Sequence, residues 1–169
     1  ATPAATAPTP TGQPAPAPAA SSGVAVEPAP VAPAAVALRA DLEEREFVVQ
    51  TSTVRAVFTN RGGRLKHWEL KGYNRESGAP VDLVPADTGG QPLPFSLQLD
   101  AAADTAAING ALFVVENDAP TAIDATTSPA ALTFAYESAA GLAVRKRFTL
   151  QPTGFEVTFL AEVTRVGTA

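Results

Sequence analysis

From Phe47 onward, apolar and polar residues alternate along this chain with a period of two. Val54, Ala56 and Phe58 are interleaved with Arg55, Val57 and Thr59, and Phe95, Leu97 and Leu99 with Ser96, Gln98 and Asp100. Leu112 to Val115 is a short apolar run, and Leu132, Phe134 and Tyr136 share one face, with Thr133 on the other. The clearest pair comes last. Leu142, Val144, Phe148 and Leu150 line one face, interrupted by Lys146, while Arg145, Arg147 and Thr149 point the other way. Phe155, Val157, Phe159, Ala161 and Val163 then alternate with Glu156, Thr158, Glu162 and Thr164. Successive side chains of a strand point to opposite faces, so this pattern predicts antiparallel strands with one face buried. Gln151-Pro152-Thr153-Gly154 supplies the turn between the last two, with Pro and Gly where a tight reversal favours them. No segment longer than ten residues shows helical periodicity. The expected fold class is all-β, an antiparallel β-sandwich.

The N-terminal stretch has a different character. Ala1 to about Ala37 is almost entirely Ala, Pro, Thr, Ser and Val, with Glu27 its only charge. Its recurrent prolines block helix and sheet ladders and favour extended polyproline-like chain. Such a stretch buries too little apolar surface to offset its ordering entropy. Residues 1–40 therefore read as a disordered Ala/Pro-rich linker, and 41–169 as the sandwich domain. Leu38 to Glu46 is a charged junction between them, a solvated hinge with one helical turn as the alternative. The last strand is expected to reach about Val166 with no closing partner before Ala169. That predicts a long unpaired edge, and with the Met-less start it suggests an excerpt to which more strands belong.

Composition narrows the function. A net charge of −5 argues against nucleic acid, which demands clustered Lys and Arg, and against a polybasic membrane patch. The absence of cysteine excludes disulfides, thiolate-ligated zinc and thiol catalysis. No apolar run is long enough to span a bilayer.

Candidate chemistry is sparse. The single histidine, His67, lies in Arg64-Leu65-Lys66-His67-Trp68-Glu69-Leu70. Neither alternating face of that segment is purely apolar, which points to a bulge or an edge position. A general base oriented by Glu69 is one reading, but residues i and i+2 of a strand are roughly 6–7 Å apart and no serine nucleophile is indicated. A half-exposed strand histidine is the simpler reading. Gly62-Gly63 lacks a phosphate-loop frame and reads as a turn that needs positive φ. The carboxylates Asp82, Asp87, Asp100, Asp104, Glu116, Asp118 and Asp124 fall at strand ends or in loops without a catalytic companion. Lys146 points with the core-facing set, so it should snorkel or pair with a buried acid. Trp68, Leu70 and Tyr73 are a candidate apolar patch for a partner, unless they cap the core. No catalytic, cofactor-binding or metal-ligating residue is assigned, and no cofactor is expected.

The order of these features resembles the opening of the periplasmic domain of the YidC membrane-protein insertases. An Ala/Pro-rich linker precedes the strand Val54–Thr59, then Arg61-Gly62-Gly63, Leu65 and Leu70-Lys71-Gly72-Tyr73, similar to the family's "GG-x-[IL]…L-x-x-Y" opening. Pro80-Val81-Asp82-Leu83-Val84 is similar to its next apolar strand. Gly141 to Leu150 resembles its "G-x-x-V-x-K-x-[FY]-x-[FL]" strand, carrying Lys146 and Phe148, and Phe155 opens the strand after it. The resemblance implies a non-catalytic part of a mutarotase-like supersandwich, in the periplasm, within a bacterial inner-membrane protein. It also implies partners for the parent: the Sec translocon with its accessory subunits, and nascent inner-membrane proteins. The insertion groove of the family lies in membrane helices, so none of its residues is carried over. Two rivals stand beside this reading: a carbohydrate-binding or mutarotase-like β-sandwich using His67 and Trp68, and an envelope adhesion or secretion module on a Pro-rich stalk.

Overall fold

The computed structural model describes residues 37–84 and 87–165; the expected linker lies almost wholly outside them. Among the described residues two five-stranded sheets face each other. In one, the order is β5 (Pro80–Asp82), β4 (Arg64–Asn74), β3 (Val54–Thr59), β2 (Glu46–Gln50) and β7 (Ala122–Asp124). All its pairs are antiparallel except β2–β7. In the other, β1 (Ala37–Arg39), β8 (Ala130–Ser138), β9 (Leu142–Leu150) and β10 (Val157–Arg165) follow one another, and β6 (Val114–Val115) joins β8. The sandwich is the expected fold class.

The inner faces carry the residues that the alternation selects. Leu142, Val144, Phe148 and Leu150 of β9 are buried, as are Leu132, Phe134 and Tyr136 of β8. They meet Phe47, Val49, Val54, Ala56 and Phe58 from the opposite sheet. The Phe47 and Phe134 rings stand edge-on at 5.8 Å, and Phe58 meets Phe148 at 4.7 Å. Burying such aromatics supplies most of the apolar driving force.

Three segments differ from the periodic reading. The Leu38–Glu46 junction forms no helical turn. Leu38 and Arg39 belong to β1, and the bend after them is held by Asp41 and by the buried Asn60. The Asp41 carboxylate accepts from the Leu42 amide and the Arg45 guanidinium, and Asn60 accepts from the Arg45 amide. Second, Phe95–Asp100 forms no strand: Phe95 sits in a turn, and the residues after it pair with no strand. Helix α1 (Ala102–Gly110) takes the neighbouring strand's place. Asn109 accepts from the Leu97 amide and donates to the Leu97 carbonyl, and Thr105 does the same for Leu99. Third, α1 itself carries no apolar stripe to read, because Ile108 is its one buried residue.

The β10 strand pairs with β9 in unbroken register from Val157 to Arg165. Its other edge has no neighbour among the described residues. Its inward row is only half covered: Val157, Phe159 and Ala161 are partly buried and Val163 is exposed.

Candidate functional site

The Gly-Gly turn is tightly constrained. It links β3 to β4 with positive φ at both glycines, 71° at Gly62 and 54° at Gly63, a conformation glycine adopts without Cβ strain. Space enforces the same choice. A Cβ on Gly62 would lie 2.7 Å from the Asn109 carbonyl oxygen, and one on Gly63 would lie 3.2 Å from Phe134 Cβ. The Gly62 amide donates to the Ala111 carbonyl, and Arg61 is bridged to Leu112. The Arg61 guanidinium meanwhile pairs with Glu44 and donates to the Gly110 carbonyl.

Under this turn lies Lys146, fully buried on the inner face of β9. It neither snorkels nor finds an acid, the two outcomes expected from its position in the strand. Its ammonium donates to the carbonyls of Gly62 at 2.6 Å, Phe95 at 2.7 Å and Gly63 at 3.4 Å. It also stands 5.8 Å over the Phe113 ring. Three N–H donors meet three fixed acceptors, which satisfies the cation without a counter-ion. Burial and then the nearby Arg64 guanidinium pull its pKa from 10.5 to about 7. The turn glycines and the lysine of a distant strand are thus one structural unit.

Phe95, the third carbonyl's owner, lies in a turn where the alternation of Phe95, Leu97 and Leu99 predicts a strand. Leu93-Pro94-Phe95-Ser96 is a turn closed by the Ser96 amide on the Leu93 carbonyl, 3.1 Å, and Phe95 holds a φ of 65°. That position of such a turn favours Gly or Asn. The ring compensates by packing on Phe148 at 5.1 Å and Phe159 at 4.8 Å. Pro94 was the one local sign of a turn here.

His67 pairs with Asp82, not with Glu69. Its Nδ1 lies 2.7 Å from Asp82 Oδ2, while Glu69 is bound to Arg55. Asp82 Oδ1 also accepts from the amides of Trp68 and Val84. Burial would raise the Asp82 pKa, but the Trp68 amide, His67 and the Val84 amide outweigh it and hold the carboxyl below its usual value. The carboxylate is therefore committed to tying β5 against β4. Among the described residues, no three His, Asp or Glu side chains converge as a metal site.

The candidate patch of Trp68, Leu70 and Tyr73 is divided. A bulge in β4 sets Val57 opposite His67 and Phe58 opposite Leu65, leaving Lys66 over. The extra residue turns both Leu65 and Trp68 inward, where they are buried. Trp68 is therefore a core residue rather than a partner contact. Leu70 packs against the core edge. Tyr73 alone is exposed, at 55%, and its neighbour is Phe155, exposed at 47%, with ring centroids 6.1 Å apart. The turns carrying this pair are laced together: Ser52 donates to the Pro152 carbonyl, Thr53 to that of Gly154, and the Lys71 amide to that of Thr53. The sequence pattern marks Phe155 as the start of a strand, and nothing local marks it as Tyr73's companion.

A groove of about 440 Å³ runs between Leu97, Leu99 and α1. Neither His67 nor Trp68 lines it.

Residues 46–169 match the family described as the YidC periplasmic domain. The membrane protein insertase YidC of Geobacter metallireducens is 32% identical over 146 residues, 86% of this chain and 26% of that protein. The membrane protein insertase YidC of Syntrophus aciditrophicus is 26% identical over 126 residues, 73% of this chain and 23% of that protein. The chain thus spans about a quarter of the length of these curated relatives. Lys146, Phe148 and the Arg61-Gly62-Gly63 turn all fall inside the family match. The chain belongs to the YidC periplasmic-domain family, a periplasmic segment of an inner-membrane protein.

Proposed function

We propose that this domain is a non-catalytic docking module of a YidC-type insertase, acting alongside the Sec translocon during insertion and folding of inner-membrane proteins. The residues before β1 serve as the tether, and β1 with the strands after it as the docking body. The observation that carries this reading is the Tyr73–Phe155 pair. Two exposed aromatics, one from β4 and one from the β9–β10 connection, braced by cross-linked turns, are a preorganised anchor of the kind protein partners use. The polar groups of the domain support the same reading, because His67, Asp82, Glu69 and Lys146 are each engaged in holding strands together. Nascent membrane proteins reach the machine through the rest of the parent.

The test is photo-crosslinking from positions 73 and 155 in the full-length parent, within inner-membrane vesicles. Adducts with Sec accessory subunits are the expected result. Adducts confined to outer-membrane or extracellular material would sink the proposal and favour an adhesion or secretion module. Saturable sugar binding lost on His67→Ala would instead promote the carbohydrate-binding alternative.

A further inference from the structure

We propose that Leu97–Asp100 is a strand-addition site, where a partner protein docks an extended peptide segment with apolar side chains at alternate positions and a Lys or Arg at one end. The inference starts from the hydrogen bonds of this segment. Leu97 and Leu99 each turn both backbone groups toward α1, where the Asn109 and Thr105 side chains bind them. Residues two apart that face the same side belong to an extended backbone, so the N–H and C=O groups of Gln98 and Asp100 point away from the helix. Among the described residues nothing bonds those groups, and both residues are exposed. The segment therefore has one edge closed by a helix and one edge open. An open row of N–H and C=O groups is a template for an added strand.

The surroundings of that edge define what fits. Gln98, Leu99 and Asp100 form one wall of a second groove, of about 550 Å³, and Leu142, Val163 and Arg165 form the other. Leu142 is buried there, while Val163 is exposed at 39%, the bare end of the inward row of β10. Apolar side chains on one face of an incoming strand cover Val163 and Leu99 and leave water as they do so. Charge sets the other requirement. Of the two carboxylates at the groove, Asp104 pairs with Arg165, and Asp100 pairs with no cation among the described residues. A cation on the peptide facing Asp100 fixes its direction and register, which is what charge at an interface does best. Neither Tyr73 nor Phe155 lines this groove, so the site is separate from the aromatic pair and stands or falls without it.

The experiment is an NMR titration of the 169-residue chain with a short blocked peptide that alternates valine and threonine and ends in lysine, beside a counterpart ending in glutamate. The Gln98 and Asp100 amides should shift saturably with the lysine peptide, and their hydrogen exchange should slow by about tenfold or more. The lysine peptide should bind about tenfold more tightly than the glutamate one, and Asp100→Asn should remove most of that preference. Gln98→Pro deletes a free N–H and no bond within the fold, so it should abolish binding while the Leu97 and Leu99 amides stay protected. If that variant disturbs the fold, the comparison of the two peptides on wild type and Asp100→Asn decides. Tyr73→Ser should leave peptide binding unchanged. The proposal is overturned if the Gln98 and Asp100 amides are already protected without peptide, if no saturable shift appears by about 1 mM, or if the two peptides bind the wild type equally.

Discussion

The ammonium of Lys146 donates to the carbonyl of Gly62 across 2.6 Å, although 84 positions separate them in the chain. One residue belongs to the β3–β4 turn and the other to β9 of the opposite sheet, so the bond pins the two sheets to each other. Lys146→Met keeps the side-chain length but leaves the buried Gly62 and Gly63 carbonyls and the half-buried Phe95 carbonyl without their donor. It is expected to destabilise the domain by about 2–4 kcal/mol, seen as a lower urea midpoint at unchanged slope.

The same residue sets a pH dependence of stability. Its folded-state pKa of about 7 lies below the ordinary lysine value of 10.5, so between these the unfolded chain binds more protons. Stability from this group therefore rises with pH across that window and is lowest below it. Urea titrations at several pH values should show the rise in the wild type and lose it in Lys146→Met.

Gly62 and Gly72 separate two costs that a glycine can hide. Both have positive φ, but a Cβ on Gly72 meets nothing within 4 Å while one on Gly62 collides with the Asn109 backbone. Gly72→Ala should cost only the left-handed penalty, about 1 kcal/mol. Gly62→Ala should cost roughly 3 kcal/mol or more, because α1 must move as well. Equal losses in thermal unfolding would contradict the packing argument.

Asp82 should dominate acid sensitivity at the β4–β5 edge. Its carboxyl is held below the usual value by the Trp68 amide, His67 and the Val84 amide against the opposing effect of burial. A depressed folded-state pKa gives stability that is present above the unfolded value and lost as pH falls through the folded one. Asp82→Asn should flatten the acid limb of the stability profile below about pH 4, while hydrogen exchange of the Trp68 and Val84 amides speeds up.

Tyr73 and Phe155 should be separable from folding. Each is half exposed, so replacing either with Ser should change stability by less than about 1 kcal/mol while removing crosslinks to the partner. A large loss of stability would recast the pair as a structural clamp.

Much of this fold is legible along the chain because strand periodicity is local. The alternation in β8 and β9 names its buried residues without reference to any partner, and the two glycines declare their turn through the φ they permit. The mixed faces around His67 announced a bulge. Which residue was extra was invisible, and that single register step decided that Trp68 enters the core and Tyr73 does not. Phe95–Asp100 carries the alternation of a strand, yet its backbone partners are side chains of α1, a helix whose alanines show no periodic face. By itself the sequence determined where β3, β8, β9 and β10 run, which of their faces are apolar and that Lys146 points inward. Only the tertiary structure decided what Lys146 holds, how His67 and Asp82 meet, and which aromatics remain outside. Those outcomes depend on hydrogen-bond partners brought together from distant positions by sheet packing, and no local pattern encodes them.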